Sequence, residues 1–461
     1  MSSKIKINPA TDPAAASRKL ADTIDRLHRR GAVRPLKGIL ARLHPADLAA
    51  VLAVLPDAHL IPVFDAIPDT ELAGEVLVEL AERVRDRLFE EKPIEDLVPI
   101  LEQLPPDELT DLIQELDPDL AQRLMALLER DSKEEVEDLL QYTPDTAGGI
   151  MTPDFFSLTD DVSVESAIGK VRQHYDVEII FYLYVTDAAK HLTGVVSLRQ
   201  LLLADPQQPL REIMNSRVVS VHTDTPQAEV ADRVDKYQLL AIPVVDDANV
   251  LVGMVTVDDV IEAIEEITTK NMLRMAGTDE SETLTESALR IAVIRLPWLL
   301  VSFAGYLLIS GIMDQFESVL VQLVALSAFL PAVTGMAGNI GVQASTVAVR
   351  SLATGALDLE GAVTEFFKEL RVGLLLGLFY GLVLGGFGWF LFGNLQLAEI
   401  VSLTILVNMS GAAVLAITMP LVFERVGVDP AIATGPFVTT GIDVLGILSY
   451  MLIASLVMGL I

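Results

Sequence analysis

Five apolar runs in the last third of the chain, at roughly residues 294–313, 318–348, 372–393, 400–423 and 434–461, constrain it more than any other feature. A helix needs about 20 residues to cross a hydrocarbon core, and each run is long enough. In lipid the backbone must satisfy its own polar groups, so these runs must be helices. The second run is long enough for a tilted or broken helix, and Gly335, Gly338 and Gly341 at its centre suggest the same. Loop charge sets the orientation. Arg290 and Arg295 precede the first run, Arg350, Lys368 and Arg371 lie between the second and third, and Arg425 lies between the fourth and fifth. The other loops carry no Lys or Arg, only acidic residues such as Asp314, Glu317 and Glu399. This predicts a multi-pass protein of the cell (inner) membrane, with the N-terminus cytoplasmic and the C-terminus outside.

The remainder is strongly acidic. Only 6 of the 33 Lys and Arg and 10 of the 64 Asp and Glu lie from residue 290 on. Residues 1–289 therefore carry 27 basic and 54 acidic side chains, a formal −27 against −4 for the membrane part. Such a surface repels nucleic acid and attracts cations. With no cysteine, disulfides and thiolate metal sites are excluded. The first twenty residues have no apolar core, so no cleaved signal is expected. No HExxH, GxSxG or P-loop phrase occurs and the six histidines are scattered, which speaks against an enzyme.

Residues 1–142 repeat a Pro-acidic-Leu phrase: HPADLAAVLAVLP from His44, KPIEDLVPILEQLP from Lys92, PPDELTDLIQEL from Pro105 and DPDLAQRLMALL from Asp117. Pro and acidic residues suit the first helical turn, and Leu and Ile then recur every three or four positions. Short helices of this kind bury their faces by stacking into a superhelix. Residues 143–213 and 214–267 form a second, β-rich repeat. Each copy opens at a Met (Met151, Met214) with a strand running into a helix, then gives strand, polar turn, strand and helix. The phrases Ile242-Pro243-Val244-Val245-Asp246, Gly194-Val195-Val196-Ser197 and Gly253-Met254-Val255-Thr256 make this pair resemble tandem CBS domains. That resemblance implies an adenine nucleotide, ATP, with Thr256 and Asp259 as the hydroxyl and carboxylate that hold it. The first copy has Gln200 where the carboxylate is usual. An acidic connecting helix starting near 260, with a linker at 268–289, leads into the membrane part at 290–461.

Within the fifth run stands one carboxylate, Asp443, about nine residues or ~13 Å from its start, which predicts a position near mid-membrane. An acid there costs roughly 2.5–3.5 kcal/mol on insertion scales and is a functional residue by default. No Lys or Arg lies deep in any run to pair with it. Gly435, Pro436, Thr439, Thr440 and Gly441 beside it offer a loosened backbone and hydroxyls, and Asn339 and Gln343 share one face of the second run. Mg²⁺ sheds water reluctantly, so one carboxylate from each of two symmetric chains suits its hydrated form.

Over its whole length the chain resembles the MgtE family of magnesium transporters. The resemblance rests on Tyr142-Thr143-Pro144-Asp145-Thr146-Ala147-Gly148-Gly149-Ile150-Met151-Thr152, Arg295-Leu296-Pro297-Trp298, PAVTGMAGNIGVQASTVAVRSLATG from Pro331 and GVDPAIATGPFVTTGIDVLG from Gly427. It implies a multidomain α-helical membrane protein: helical superhelix, α/β tandem CBS pair, connecting (plug) helix and five-helix transmembrane domain. It also implies a homodimer in the bilayer with a Mg²⁺ pore between subunits, Asp443 as pore carboxylate with backbone oxygen near Thr439, and Asn339, Gln343, Gly435, Pro436 and Thr440 lining it. Cytosolic Mg²⁺ sensing would fall on Glu95, Asp235 (through its carbonyl), Asp259, Glu262 and Asp429. Pro99, Ala228, Gln238, Ile267, Lys270 and Asn271 stand where the family pattern has carboxylates, and Val342 where it has Asn. Gating is therefore expected to be weaker or to use other carboxylates. The alternatives are a CBS-regulated carrier of Co²⁺, Mn²⁺ or Ni²⁺, and a membrane-anchored sensor that transports nothing.

Overall fold

Proline that opens a helix also stops the preceding one, and the N-terminal phrases accordingly break into short helices. A computed structural model describes residues 13–173, 182–282, 287–353, 361–433 and 435–460. They fall into two units, Met1–Glu265 and Glu266–Ile461.

The first unit begins with ten helices: α1 (Pro13–Arg29), α2 (Val33–Leu40), α3 (Pro45–Leu52), α4 (Asp57–Phe64), α5 (Thr70–Val78), α6 (Glu82–Glu91), α7 (Ile94–Leu101), α8 (Pro106–Glu115), α9 (Pro118–Leu127) and α10 (Arg130–Leu139). Pro45, Pro106 and Pro118 occupy first helical turns, and the Asp117 carboxylate caps α9 by accepting from the Asp119 amide at 3.0 Å. Helices pack on their next-but-one neighbours, α1 on α3, α3 on α5, α5 on α7, α7 on α9 and α8 on α10. This is the superhelix the repeat predicts, and one apolar core runs along it from Ile24 through Leu52, Leu77 and Leu101 to Val136.

Next comes β1 (Ser157–Thr159), α11 (Val164–Val171), β2 (Tyr182–Thr186), β3 (Leu192–Ser197), α12 (Leu198–Leu203) and α13 (Leu210–Ile213). The second copy is β4 (Val221–His222), α14 (Gln227–Tyr237), β5 (Ala241–Val245), β6 (Leu251–Thr256) and α15 (Val257–Ala276). Both sheets have one parallel pair, then one antiparallel hairpin. Even the hairpin turns match. Asp187 accepts from the amides of Ala189 and His191, and Asp246 from those of Ala248 and Val250, while Lys190 and Asn249 adopt positive φ. The two cores do not follow the sequence blocks. Thr152 pairs with Met254 and Asn215 with Val195, so each opening segment joins the other copy's sheet. Glycine is required there: a Cβ on Gly253 would lie 2.9 Å from Met151 Cγ, and one on Gly194 2.8 Å from Met214 Cγ. Ala147 and Met151 are thus buried with Val244 and Val255, and Leu210 with Val185 and Val196.

Among its described residues the second unit holds five helices long and apolar enough to cross a membrane. These are α16 (Ala288–Gln315); α18 (Leu330–Ala353), preceded by the short α17 (Glu317–Gln322) and a 3-10 turn at Val324–Phe329; α19 (Ala362–Phe392); α20 (Leu395–Arg425); and α21 (Pro436–Met458). The break in the second apolar run lies at Leu323 (φ −136°, ψ 74°), and Gly335, Gly338 and Gly341 sit inside unbroken helix. Without water to compete for the backbone, glycine does not open a helix in lipid. The turn is held instead by the buried Tyr450 hydroxyl, which donates to the Leu326 carbonyl at 2.9 Å.

Helix α20 packs against α18, α19 and α21. Its contact with α19 is set by Gly373, Gly377, Gly381 and Gly385, four residues apart and all buried. Small residues let helix backbones approach where lipid gives no hydrophobic drive. A Cβ on Gly377 would lie 2.9 Å from Leu406 Cα, and one on Gly381 2.7 Å from the Ser402 carbonyl oxygen. Gly381→Leu is expected to lower the detergent melting temperature by about 5 °C or more, or to abolish accumulation of folded protein. Gly386→Ala, with nothing near its added methyl, should leave both unchanged. Equal melting temperatures for the two variants would show that the glycine ladder does not hold α19 to α20.

Candidate functional site

Helix α21 starts where proline allows it, with Gly435 as its N-cap residue and Pro436 at the first position. Gly435, Thr439 and Asp443 follow at intervals of four and share one face. The Thr439 hydroxyl donates back to the Gly435 carbonyl at 3.2 Å. Asp443 is half-buried, and among the described residues nothing donates a hydrogen bond to its carboxylate or forms an ion pair with it. It is the eighth residue of α21, about 10 Å from the helix start and about 22 Å from its end. It is thus nearer the Arg-bearing end than the mid-membrane depth read from the sequence, because the helix begins at Pro436 and runs to Met458.

The neighbouring polar residues divide. Thr440 departs from the expected lining: it is buried, its hydroxyl donates to Ser302 Oγ at 3.2 Å, and it packs where α16 presents Gly305. Asn339 and Gln343 are exposed on α18, on a face shared with Gly335, Val342 and Thr346. The opposite face, with Val333, Ala337, Ile340 and Ala344, is buried. This polar stripe on a membrane-spanning helix is uncovered within one chain.

In the first unit a cavity of about 720 Å³ lies where α5, α8 and α10 meet β6 and the start of α15. Nine of its eighteen lining residues are Asp or Glu, and none is Lys, Arg or His. At its centre Asp107, in the first turn of α8, accepts from the Thr152 hydroxyl at 3.3 Å and lies close enough to Asp259 to feel its charge. Asp259 in turn accepts from both the amide (3.2 Å) and the hydroxyl of Thr256. Burial first, then neighbouring carboxylates, pushes Asp107 up to about 6. Burial, with Asp258 and Glu262, pushes Asp259 up to about 6 against the opposing Thr256 hydrogen bonds. Among the described residues no three Asp, Glu or His side chains converge as direct ligands of one metal would.

The other expected sensor residues are dispersed. Glu95 is exposed and pairs with Arg123 at 3.5 Å. The Asp235 carbonyl accepts from the Gln238 amide at 3.2 Å, where Gln238 ends α14 with positive φ. Glu262 is exposed one turn beyond Asp259 and within electrostatic reach of Arg85. Asp429 is already engaged, by the Arg274 guanidinium and by the Ala431 amide at 2.8 Å.

Two features escaped the sequence reading. Asp107 and Asp154 were legible as acids following proline, but nothing local places them together. Asn408 and Ser449, inside apolar runs, join α20 to α21: Asn408 Nδ2 donates to the Gly446 carbonyl at 3.1 Å, and the Ser449 hydroxyl reaches Asn408 Oδ1. Asn408, like Asn339 and Gln343, is an amide in an apolar run, and that is the signal it offers.

The family model described as MgtE, divalent cation transporter, matches residues 330–453. The MgtE intracellular N domain matches 43–145, and the CBS domain matches 147–206 and 210–266. The magnesium transporter MgtE of Thermus thermophilus is 36% identical over 456 residues, covering 95% of this chain and 99% of the relative. That of Bacillus subtilis is 33% identical over 443 residues, covering 93% and 95%. Among solved structures, the cytosolic domain of the Mg²⁺ channel MgtE in complex with ATP is 39% identical with a TM-score of 0.50, covering 52% of this chain and 99% of that one.

The acidic cavity carries a pH signature. Both raised carboxyls hold protons more tightly folded than unfolded, so their stabilising contribution is present below about pH 4 and lost as pH rises through about 6. Asp107→Asn removes this penalty, which is on the order of 3 kcal/mol. The variant 1–265 fragment should melt several degrees higher at pH 7.5 and show a clearly smaller gain at pH 4.5. Millimolar Mg²⁺ should raise the melting temperature of wild type more than that of the variant. The same gain at both pH values would mean that the ionised pair is not the source of the strain.

Proposed function

The chain belongs to the MgtE family of divalent cation transporters, and from that membership we propose that it carries Mg²⁺ across the cell membrane along a path lined by Asp443. It is a multi-pass membrane transporter and not an enzyme. The observation that carries the proposal is the Asp443 carboxylate, half-buried in a span and without a protein partner among the described residues. An ionised carboxylate at that depth needs water or a cation.

The uncovered polar face of α18 supports a second copy of the chain beside it. A twofold axis there sets two Asp443 carboxylates around one path, with Asn339 and Gln343 of each α18 beside them. The pair is wide enough for Mg²⁺ to keep its first water shell and be read through it. Gly435, Pro436 and Thr439 border the cytoplasmic end, and the membrane potential drives the ion inward. The N-terminus is cytoplasmic and the C-terminus outside, consistent with the basic residues at one end of the spans.

Regulation by cytosolic Mg²⁺ fits the acidic cavity better than the dispersed positions. Empty of cations, its nine carboxylates repel one another; hydrated Mg²⁺ screens and bridges them. Helix α15 carries Asp258 and Asp259 in its first turn and Arg274, the partner of Asp429, in its last. One helix thus bears both the cavity's carboxylates and the contact to the loop before α21. ATP is the candidate nucleotide, held by Thr256 and Asp259 and supported by the ATP-bound MgtE cytosolic domain.

Mg²⁺ uptake into proteoliposomes containing an internal indicator tests the path. Asp443→Ala should cut the initial rate at least tenfold, and Asp443→Glu should keep part of it. Wild-type uptake by Asp443→Ala would remove this carboxylate from transport. Faster uptake of Co²⁺, Mn²⁺ or Ni²⁺ than of Mg²⁺ would reassign the substrate.

A further inference from the structure

We propose that Asn408 is a positioning residue for Asp443, an inference that rests on the transport reading above and assigns a role to a side chain in a different helix. Asn408 is 7% exposed in α20. Its amide nitrogen donates to the Gly446 carbonyl at 3.1 Å, and its amide oxygen accepts from the Ser449 hydroxyl. That hydroxyl also lies 2.9 Å from the Gly446 carbonyl, and its single proton serves one acceptor at a time. Both partners belong to α21, three and six residues beyond Asp443. Gly446 makes the approach possible, since a Cβ there would stand 3.3 Å from Asn408 Nδ2.

Ile442 and Ile447 anchor α21 in the apolar core at this level, but its packing on α20 leaves a gap. The two helices border an apolar cavity of about 220 Å³, lined by Asn408, Gly411, Leu415, Ile442, Gly446 and Ser449 among others. Where side chains leave space, apolar packing resists a turn of the helix less on that side. Two hydrogen bonds in a water-poor setting supply the missing restraint, and membrane proteins use such polar pairs between helices. The restraint acts close to the carboxylate. Gly446 is only about 4.5 Å along the axis from Asp443, and a side-chain tip sits about 5–6 Å from that axis. A 20° turn of α21 therefore swings the carboxylate by about 2 Å. Recognition of a hydrated ion by two symmetry-related carboxylates would feel that displacement twice, since useful sites hold their groups to about 0.5 Å.

The test is Mg²⁺ and Mn²⁺ flux by the full-length protein in proteoliposomes, with Asp443→Ala, Asn408→Leu, Asn408→Gln and Ser449→Ala beside wild type. Asn408→Leu should lower the maximal Mg²⁺ rate about fivefold and raise half-saturation. It should also shift the Mg²⁺:Mn²⁺ rate ratio, with folded yield and melting temperature held within a few degrees. Asn408→Gln, which keeps donor and acceptor, should recover part of both rate and ratio. Ser449→Ala, which removes one bond and folds independently of any defect at 408, should move them the same way by about twofold. Wild-type flux by Asp443→Ala would defeat the transport reading itself, and the positioning role with it. An inactive Asp443→Ala beside unchanged rate and ratio in Asn408→Leu and Ser449→Ala would overturn the positioning role alone. So would a lowered rate with half-saturation and ratio intact, the mark of a merely structural residue.

Discussion

A charged side chain inside a lipid-spanning bundle must be answered by something, and the bundle offers Asp443 no protein group among the described residues. Most of the membrane unit can be understood from that requirement. Water has to reach the carboxylate, so one side of α21 must stay open. The face of α18 bearing Asn339 and Gln343 is equally unsuited to lipid and equally uncovered. The proposed wet path beside a second copy would satisfy both surfaces, whereas lipid would satisfy neither. The remaining helices keep α21 and α18 in place. Helix α20 contacts both, and α19 is held to α20 along four glycines at backbone distance.

The soluble unit answers a related problem with the opposite arrangement. There the acids are many, and no Lys, Arg or His lines the cavity with them. Asp107 and Asp259 show the cost: burial first, then neighbouring carboxylates, pushes both up to about 6. A structural ion-pair network would have placed Arg or Lys among them, as Arg274 is placed beside Asp429. The contrast separates a paired acid from a cavity that, on the proposed regulation, takes up cations.

How much of this was legible in the sequence depended on whether the signal was local. Apolar run length gave five spans because each is a property of consecutive residues, and the Pro-acidic-Leu phrase gave the superhelix for the same reason. The CBS pair was legible from its repeat, but its exchange of opening segments was not, because Met151 and Gly253 are a hundred residues apart. Of the two forms expected for the second run, tilted or broken, the break lies at Leu323 and not at the glycines. Glycine opens helices in water and packs them in lipid, and the real break depends on Tyr450 reaching Leu326 from another helix. Thr440 was misread because its position along α21 was known and its direction was not. One residue from Thr439 is a rotation of about 100°, enough to turn it from the open face to Ser302.

The acidic cavity and the Asn408 contact share this limit and show what overcomes it. Asp107, Asp154 and Asp259 come from three elements, and each reads alone as a helix-start or turn acid. Their meaning appears only when folding removes the solvent between them. Asn408 differs, because an amide in an apolar run is conspicuous without any structure. Lipid makes every buried polar group costly, so its retention already implied a partner. What the fold adds is the partner's identity: a carbonyl exposed by a glycine, one helical turn from the carboxylate on which the transport reading rests. Polar residues in spans are therefore better read by the helix they hold than by the charge they carry.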